Sequence, residues 1–173
     1  MILICYSFNT FNQNSLHIFG GRDLNTNSFL ESTEIISEDG ETSPSINLPY
    51  PLAAHAIASV NHSVSIIIGG ETYGNGASDL TWYYNHITKK FTQGPKLLDG
   101  RRLHTAGTLI DQGTNEKVIV VAGGYPTHES VEFLINGKWR QGRKIFLFNK
   151  FDFTQIDRTL KSNLRGLEFE QAI

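Results

Sequence analysis

Cysteine is almost missing from this 173-residue chain, where Cys5 stands alone. One thiol cannot close an internal disulfide, and a zinc site built mainly from thiolates needs several, so disulfide scaffolds and zinc fingers are excluded. Net charge is nearly absent too: 15 Lys+Arg against 17 Asp+Glu give a formal −2, without the basic footprint of a nucleic-acid binder. With 39% hydrophobic, 11% aromatic and 18% charged residues the chain is not disordered either. Long apolar runs are lacking. The opening Met1–Phe8 has no basic region ahead of it and is too short to span a membrane, so it reads as a strand. No secretory signal is visible, which makes the cytoplasm the expected compartment and leaves the sequon at Asn61–Ser63 without consequence there. Catalytic signatures are lacking as well: there is no Gly-x-Ser-x-Gly elbow, and the six histidines show neither HxH nor HExxH spacing. Neither an enzyme nor a bound metal or cofactor is expected.

What the chain does contain is a repeat. Three apolar, β-rich runs end in paired glycines: Leu16–Gly21 (LHIFGG), Ser65–Gly70 (SIIIGG) and Val118–Gly124 (VIVVAGG), with first glycines at 20, 69 and 123. A histidine recurs at its own matching interval, His55 in AHAIASV and His104 in RRLHTAGTL, 49 residues apart. After each glycine pair and a polar gap comes another strand-like run, Ser32–Ile36, Leu80–Tyr84 and Ser130–Leu134. A turn and an aromatic follow in the second and third units, Asn85–Phe91 and Asn136–Trp139. Each unit of about 50 residues therefore reads as four short strands joined by turns.

These marks resemble the kelch repeat: a basic residue and a histidine in the first strand, Gly-Gly closing the second, an acidic or aromatic third, and Trp or Phe opening the fourth. The resemblance covers about Leu16–Gly142. It implies an all-β fold, a partial kelch-type β-propeller of about three four-stranded antiparallel blades, with repeats near 1–52, 53–99 and 100–142. The first repeat lacks its Trp and draws its first strand from Met1–Phe11. A length of 173 residues holds roughly three and a half such units, whereas closed propellers take ~4–8.

A blade is buried on both faces only by its neighbours, which explains the continuous runs Ile66–Ile68 and Val118–Ala122. The paired glycines are expected at positive φ where a neighbouring backbone approaches too closely for a Cβ. They are not expected to cradle phosphate, because they end strands rather than open helices. Trp139 and Phe91 are expected to cover the gaps between blades. Alternation in the third strand sends Trp82 and Tyr84 to one face and Tyr83 to the other. His55 and His104, equivalent in the repeat, are expected to be buried and hydrogen-bonded to a neighbouring turn.

Function on such a scaffold sits in the loops. The loops after the glycine pairs are polar, and in kelch adaptors these loops and those between blades form a peptide-binding end face. By this resemblance the partner-binding candidates are Arg22, Tyr73, Asn75, Tyr125 and His128, with Arg101 beside the turn between the second and third units. Arg101-Arg102 itself reads as a solvated turn.

The repeat pattern stops after Gly142. In the tail 143–173, Phe153, Ile156, Leu160, Leu164 and Leu167 recur at helical steps, giving a helix over about 152–170 with Asp152 at its start. Such a helix either covers the exposed face of the last blade or belongs to a segment foreign to the fold. The expected function is a non-catalytic protein-protein interaction module with a protein partner, no nucleic acid, no membrane, and self-association as a way to complete the propeller. The enzyme alternative is a fragment of a kelch-propeller oxidase resembling galactose oxidase, for which no cluster of tyrosine and histidine ligands is visible.

Overall fold

The computed structural model describes residues 15–74, 76–111 and 114–144, together with the backbone of 3–4 and 8–11. Among these residues the fold is all-β. No helix long and apolar enough to cross a membrane occurs among them. The strands are β1 (Leu3–Ile4), β2 (Phe8–Phe11), β3 (Ser15–Asp23), β4 (Ser28–Ser37), β5 (Thr42–Pro44), β6 (Ala56–Ser59), β7 (Val64–Ile68), β8 (Glu71–Thr72), β9 (Gly76–Ala77), β10 (Thr81–Asn85), β11 (Lys90–Gln93), β12 (Thr105–Ile110), β13 (Lys117–Ala122), β14 (Val131–Ile135) and β15 (Lys138–Gln141). They form three antiparallel sheets. In the first, β3 pairs with β1 and β2 on one side and β4 on the other, and β4 pairs with β5. The second runs β6-β7-β10-β11 and the third β12-β13-β14-β15, while β8 and β9 make a small separate hairpin.

The middle sheet is packed on both faces, and strand alternation sorts its side chains. Ile66 and Ile68 join Ile119, Val121, Leu134 and Trp139 of the third sheet. Ile67, between them, joins Phe19, Leu48 and Leu52. All three isoleucines are fully buried, each contributing on the order of 1.5–3 kcal/mol of transfer free energy. The neighbouring β10 follows the same parity: Trp82 and Tyr84 face the first sheet and Tyr83 the third, as the sequence predicts. Phe91 packs against Phe19 and Tyr84, and the Trp139 indole N–H donates to the Pro95 carbonyl at 3.0 Å. Both aromatics thus bridge two sheets.

The connections between sheets repeat with the sequence. Gly21 N–H donates to the Leu52 carbonyl, and 49 residues on Gly70 N–H donates to the Arg101 carbonyl, both at 2.8 Å. The approach leaves no room for a side chain. Gly69 has φ +59°, and a Cβ there would lie 2.5 Å from the Arg101 carbonyl oxygen and 2.8 Å from the His104 ring. Gly20, with the same φ, meets the Leu52 carbonyl in the same way. The first sheet differs from expectation in one respect: β3 does not end at its glycines but continues to Asp23. A register shift between Phe19 and Gly21 absorbs the left-handed residue, and Gly21–Asp23 pair with Ser28–Leu30 across a tight turn. The expected helix over 152–170 lies outside the described residues, as does the tail from residue 145 on.

Gly69→Ala is expected to lower the free energy of unfolding by more than ~2 kcal/mol, since a left-handed alanine costs ~1–3 kcal/mol before any clash is counted. Gly107→Ala, whose Cβ would meet nothing within 4 Å, is expected to be neutral or slightly stabilising. Urea unfolding midpoints check the pair.

Candidate functional site

The segments after the glycine pairs gather at one end of the three sheets. Short backbone bridges hold them there: Ala53 with Glu71 in the second unit and, at the equivalent place in the third, Arg102 with Tyr125. From these segments two side-chain groups emerge. In the first, the Arg22 guanidinium lies over the Phe29 ring, 5.2 Å from its centre, and Tyr73 meets that ring edge-on at 4.8 Å. The Tyr73 hydroxyl accepts the Phe29 N–H at 2.9 Å, so the β8–β9 hairpin of the second unit is tied to β4 of the first. In the second group, Arg102 forms an ion pair with Glu71 and lies over the Tyr125 ring at 5.0 Å. His128 stands edge-on to Tyr125 at 5.8 Å, held at φ +33° by its N–H to the Gly124 carbonyl.

Arg22 and Tyr73 thus come together through Phe29, and Tyr125 with His128 through a shared turn. Asn75 lies outside the described residues. Phe29, Glu71 and Arg102 belong to the site although the sequence reading did not select them. Tyr73 and Tyr125 keep about half their surface, 54% and 52%, and Leu103 keeps 59%. A depression of about 400 Å³ opens between Leu103, Tyr125 and His128. What the row offers is contact: ring faces, an exposed leucine, and cations already lying on aromatic π-systems, each such pair worth ~0.5–1 kcal/mol at an exposed site.

Arg101 is a correction. It is fully buried and takes no part in this surface. Its Nη1 donates to the Gly123 and Ser130 carbonyls, each at 3.2 Å, and its Nη2 to Ser130 Oγ at 3.1 Å and to the Glu132 carboxylate. Glu132, also fully buried, further accepts the backbone N–H of Leu98 at 2.7 Å and of Asp99 at 3.3 Å. The pair therefore clamps the connection between the second and third sheets. The repeat explains the placement: 49 residues earlier stands Leu52, which is 1% exposed and belongs to the apolar cluster against which Trp82, the counterpart of Glu132, packs. One slot is filled by an apolar pair at the first junction and by an ion pair at the second.

Histidines occupy both junctions. His17 and His86 stack edge-on at 4.7 Å, with His86 Nε2 bonded to Ser65 Oγ at 2.8 Å. His55 is buried and His104 half-buried, the latter pressed against Gly69 and Gly124. Burial is the main cause that pushes His55 and His86 down to about 4 and His104 to about 3, and it lowers His17 as well. Like charges add to it: Lys89 acts on His17 and His86, His17 on His86, and Arg101 and His55 on His104. Among the described residues no three metal-ligating side chains cluster.

No family model matches the chain, and a search of the curated proteins found no match.

Arg101→Leu alone strands a buried Glu132 and is expected to cost ~3–5 kcal/mol. In R101L/E132L the loss should fall short of the sum of the two single losses; additive losses in the urea double-mutant cycle would contradict the coupling. The histidines fix a pH dependence. Their folded pKa values lie below the unfolded value of about 6.5, so the unfolded chain takes up protons first as pH falls. Stability should be level above about pH 6.5 and decline towards pH 4, read as a falling thermal midpoint across that window.

Proposed function

We propose that this chain is a kelch-like partial propeller whose three sheets are blades, and that it works as a non-catalytic module binding a protein partner through its loop end. The observation that carries this reading is the composite row Arg22–Phe29–Tyr73 and Glu71–Arg102–Tyr125–His128. It draws residues from all three units and is held in place by contacts between units, Tyr73 with Phe29 and Arg102 with Glu71. Half-exposed tyrosines beside arginines are the composition of interface hot spots, where truncation of one anchor typically costs more than ~1 kcal/mol. The scaffold beneath is rigid by construction, so the row is pre-organised and little ordering entropy is lost when a partner docks. An extended peptide segment matches the row best, since its side chains alternate and can meet a ring face and the Leu103 depression in turn.

Peptides selected on the purified full chain from a random library provide the test, with affinities read by fluorescence anisotropy. Tyr73→Ala and Tyr125→Ala should each weaken binding by about tenfold, equivalent to ~1.4 kcal/mol. Thr88→Ala, in the turn at the opposite end of the second sheet, should leave it unchanged. Peptides indifferent to both tyrosines would refute the assignment.

A further inference from the structure

Tyr73 and Tyr125 are the two half-exposed tyrosines of the loop end, and an arginine is placed near each of them. The arginines differ. Arg102 is committed, paired with Glu71 while it lies over the Tyr125 ring. Arg22 lies over the Phe29 ring with no acid partner among the described residues, and its Nε is buried without an acceptor. Asp23 follows it in β3, but strand alternation sends that carboxylate to the other face, where it accepts the Asn25 N–H at 2.9 Å.

Tyr73 brings its hydroxyl to the same place. Phe29 is the cross-strand partner of Arg22, and its N–H is the one that Tyr73 Oη accepts at 2.9 Å. The phenol oxygen therefore sits at the backbone of the very residue whose ring carries the guanidinium. The hairpin bearing it stands clear of the body: a Cβ added at Gly74 or Gly76 would meet nothing within 4 Å.

We propose that Tyr73 is a phosphorylation site, and that Arg22 and the Phe29 N–H form the receptor for the phosphate it acquires. The phenol oxygen attacks the γ-phosphorus of ATP held by a tyrosine kinase. The bond from that phosphorus to the β–γ bridging oxygen breaks, ADP leaves, and the phenol proton passes to the kinase's base. The product carries a charge of about −1.5 to −2 and three acceptor oxygens. Two parallel N–H groups of Arg22 and the Phe29 N–H match those oxygens in number. Tyr125 lacks such a receptor, because Glu71 already neutralises its arginine. The modification stands on these contacts alone. Its effect on docking rests on the function proposed above: phosphate withdraws Arg22 from the loop-end surface and places an anion beside Phe29.

The test uses a purified tyrosine kinase domain that phosphorylates the free peptide 69–78, applied with magnesium ATP to the folded full chain. Mass spectrometry should place phosphate on Tyr73 at close to one per chain. Phosphorus NMR on the repurified product should show that phosphate titrating at least about 0.5 pH unit below the same phosphopeptide, because a neighbouring cation favours the dianion. The phosphopeptide itself should titrate at about 6. In Arg22→Gln the phosphate should still be added and its midpoint should return to that of the peptide, whereas Arg22→Lys, which keeps the charge but loses the parallel donors, should lie between. Two results would overturn the proposal: no phosphate on Tyr73 of the folded chain while the peptide is fully modified, or a wild-type midpoint that falls short of the stated shift. Both are read on the wild type, so they decide the matter even if a variant does not fold.

Discussion

The carbonyl oxygens of Leu52 and Arg101 each reach over a glycine pair of the preceding sheet, accepting an N–H at 2.8 Å and leaving no space where a Cβ would stand. This close approach sets the distance between sheets. At that spacing the middle-sheet isoleucines touch both neighbours, and the segments after the glycines are delivered to a common end. Widening the gap by one methyl group would loosen two buried clusters at once, because a packed interior transmits displacement rather than absorbing it. The candidate surface inherits its geometry from the same contact: Glu71 and Tyr125 follow immediately on the glycine pairs, and Ala53 and Arg102, their bridge partners, immediately on the two carbonyls.

The two junctions reach the same geometry by different chemistry. Leu52 and Trp82 supply apolar packing at the first. Arg101 and Glu132 supply a buried ion pair at the second, which gains little net stability over apolar residues but is costly to break. The ion pair also satisfies what an apolar pair cannot, the N–H groups of Leu98 and Asp99 and the carbonyls of Gly123 and Ser130. The second junction is thereby the more specific of the two, since only one arrangement meets all these partners.

Much of the fold was legible because the glycine pairs and apolar runs are dictated by backbone geometry and leave a fixed spacing. The parity of Trp82, Tyr83 and Tyr84 followed from alternation alone. Arg101 was misread for an instructive reason. Charge and a neighbouring arginine suggested a solvated turn, yet aligning the units at 49 residues sets Arg101 over an apolar Leu52 and so predicts a buried side chain needing a buried acid. Arg102 then falls over Ala53, one residue on, and belongs to the surface. Phe29 left no such signal: it sits in a strand pair extended past the glycines, which depends on a register shift that no spacing announces. Tyr73 and Tyr125 were selected by loop position, but Phe29, the partner of Tyr73, lies in another unit, and sequence neighbours do not reveal it.

Each sheet is made from one continuous stretch of chain, and each junction joins a sheet to the one made just before it. A chain emerging from a ribosome therefore meets its packing partners in the order in which they are synthesised. Residues up to Gln93 already hold the first two sheets and the Phe19–Ile67–Tyr84 cluster between them. No segment has to wait for a distant stretch of sequence before burying its inward face, so the period during which wide apolar surfaces stand exposed is limited to the time needed to make one further sheet.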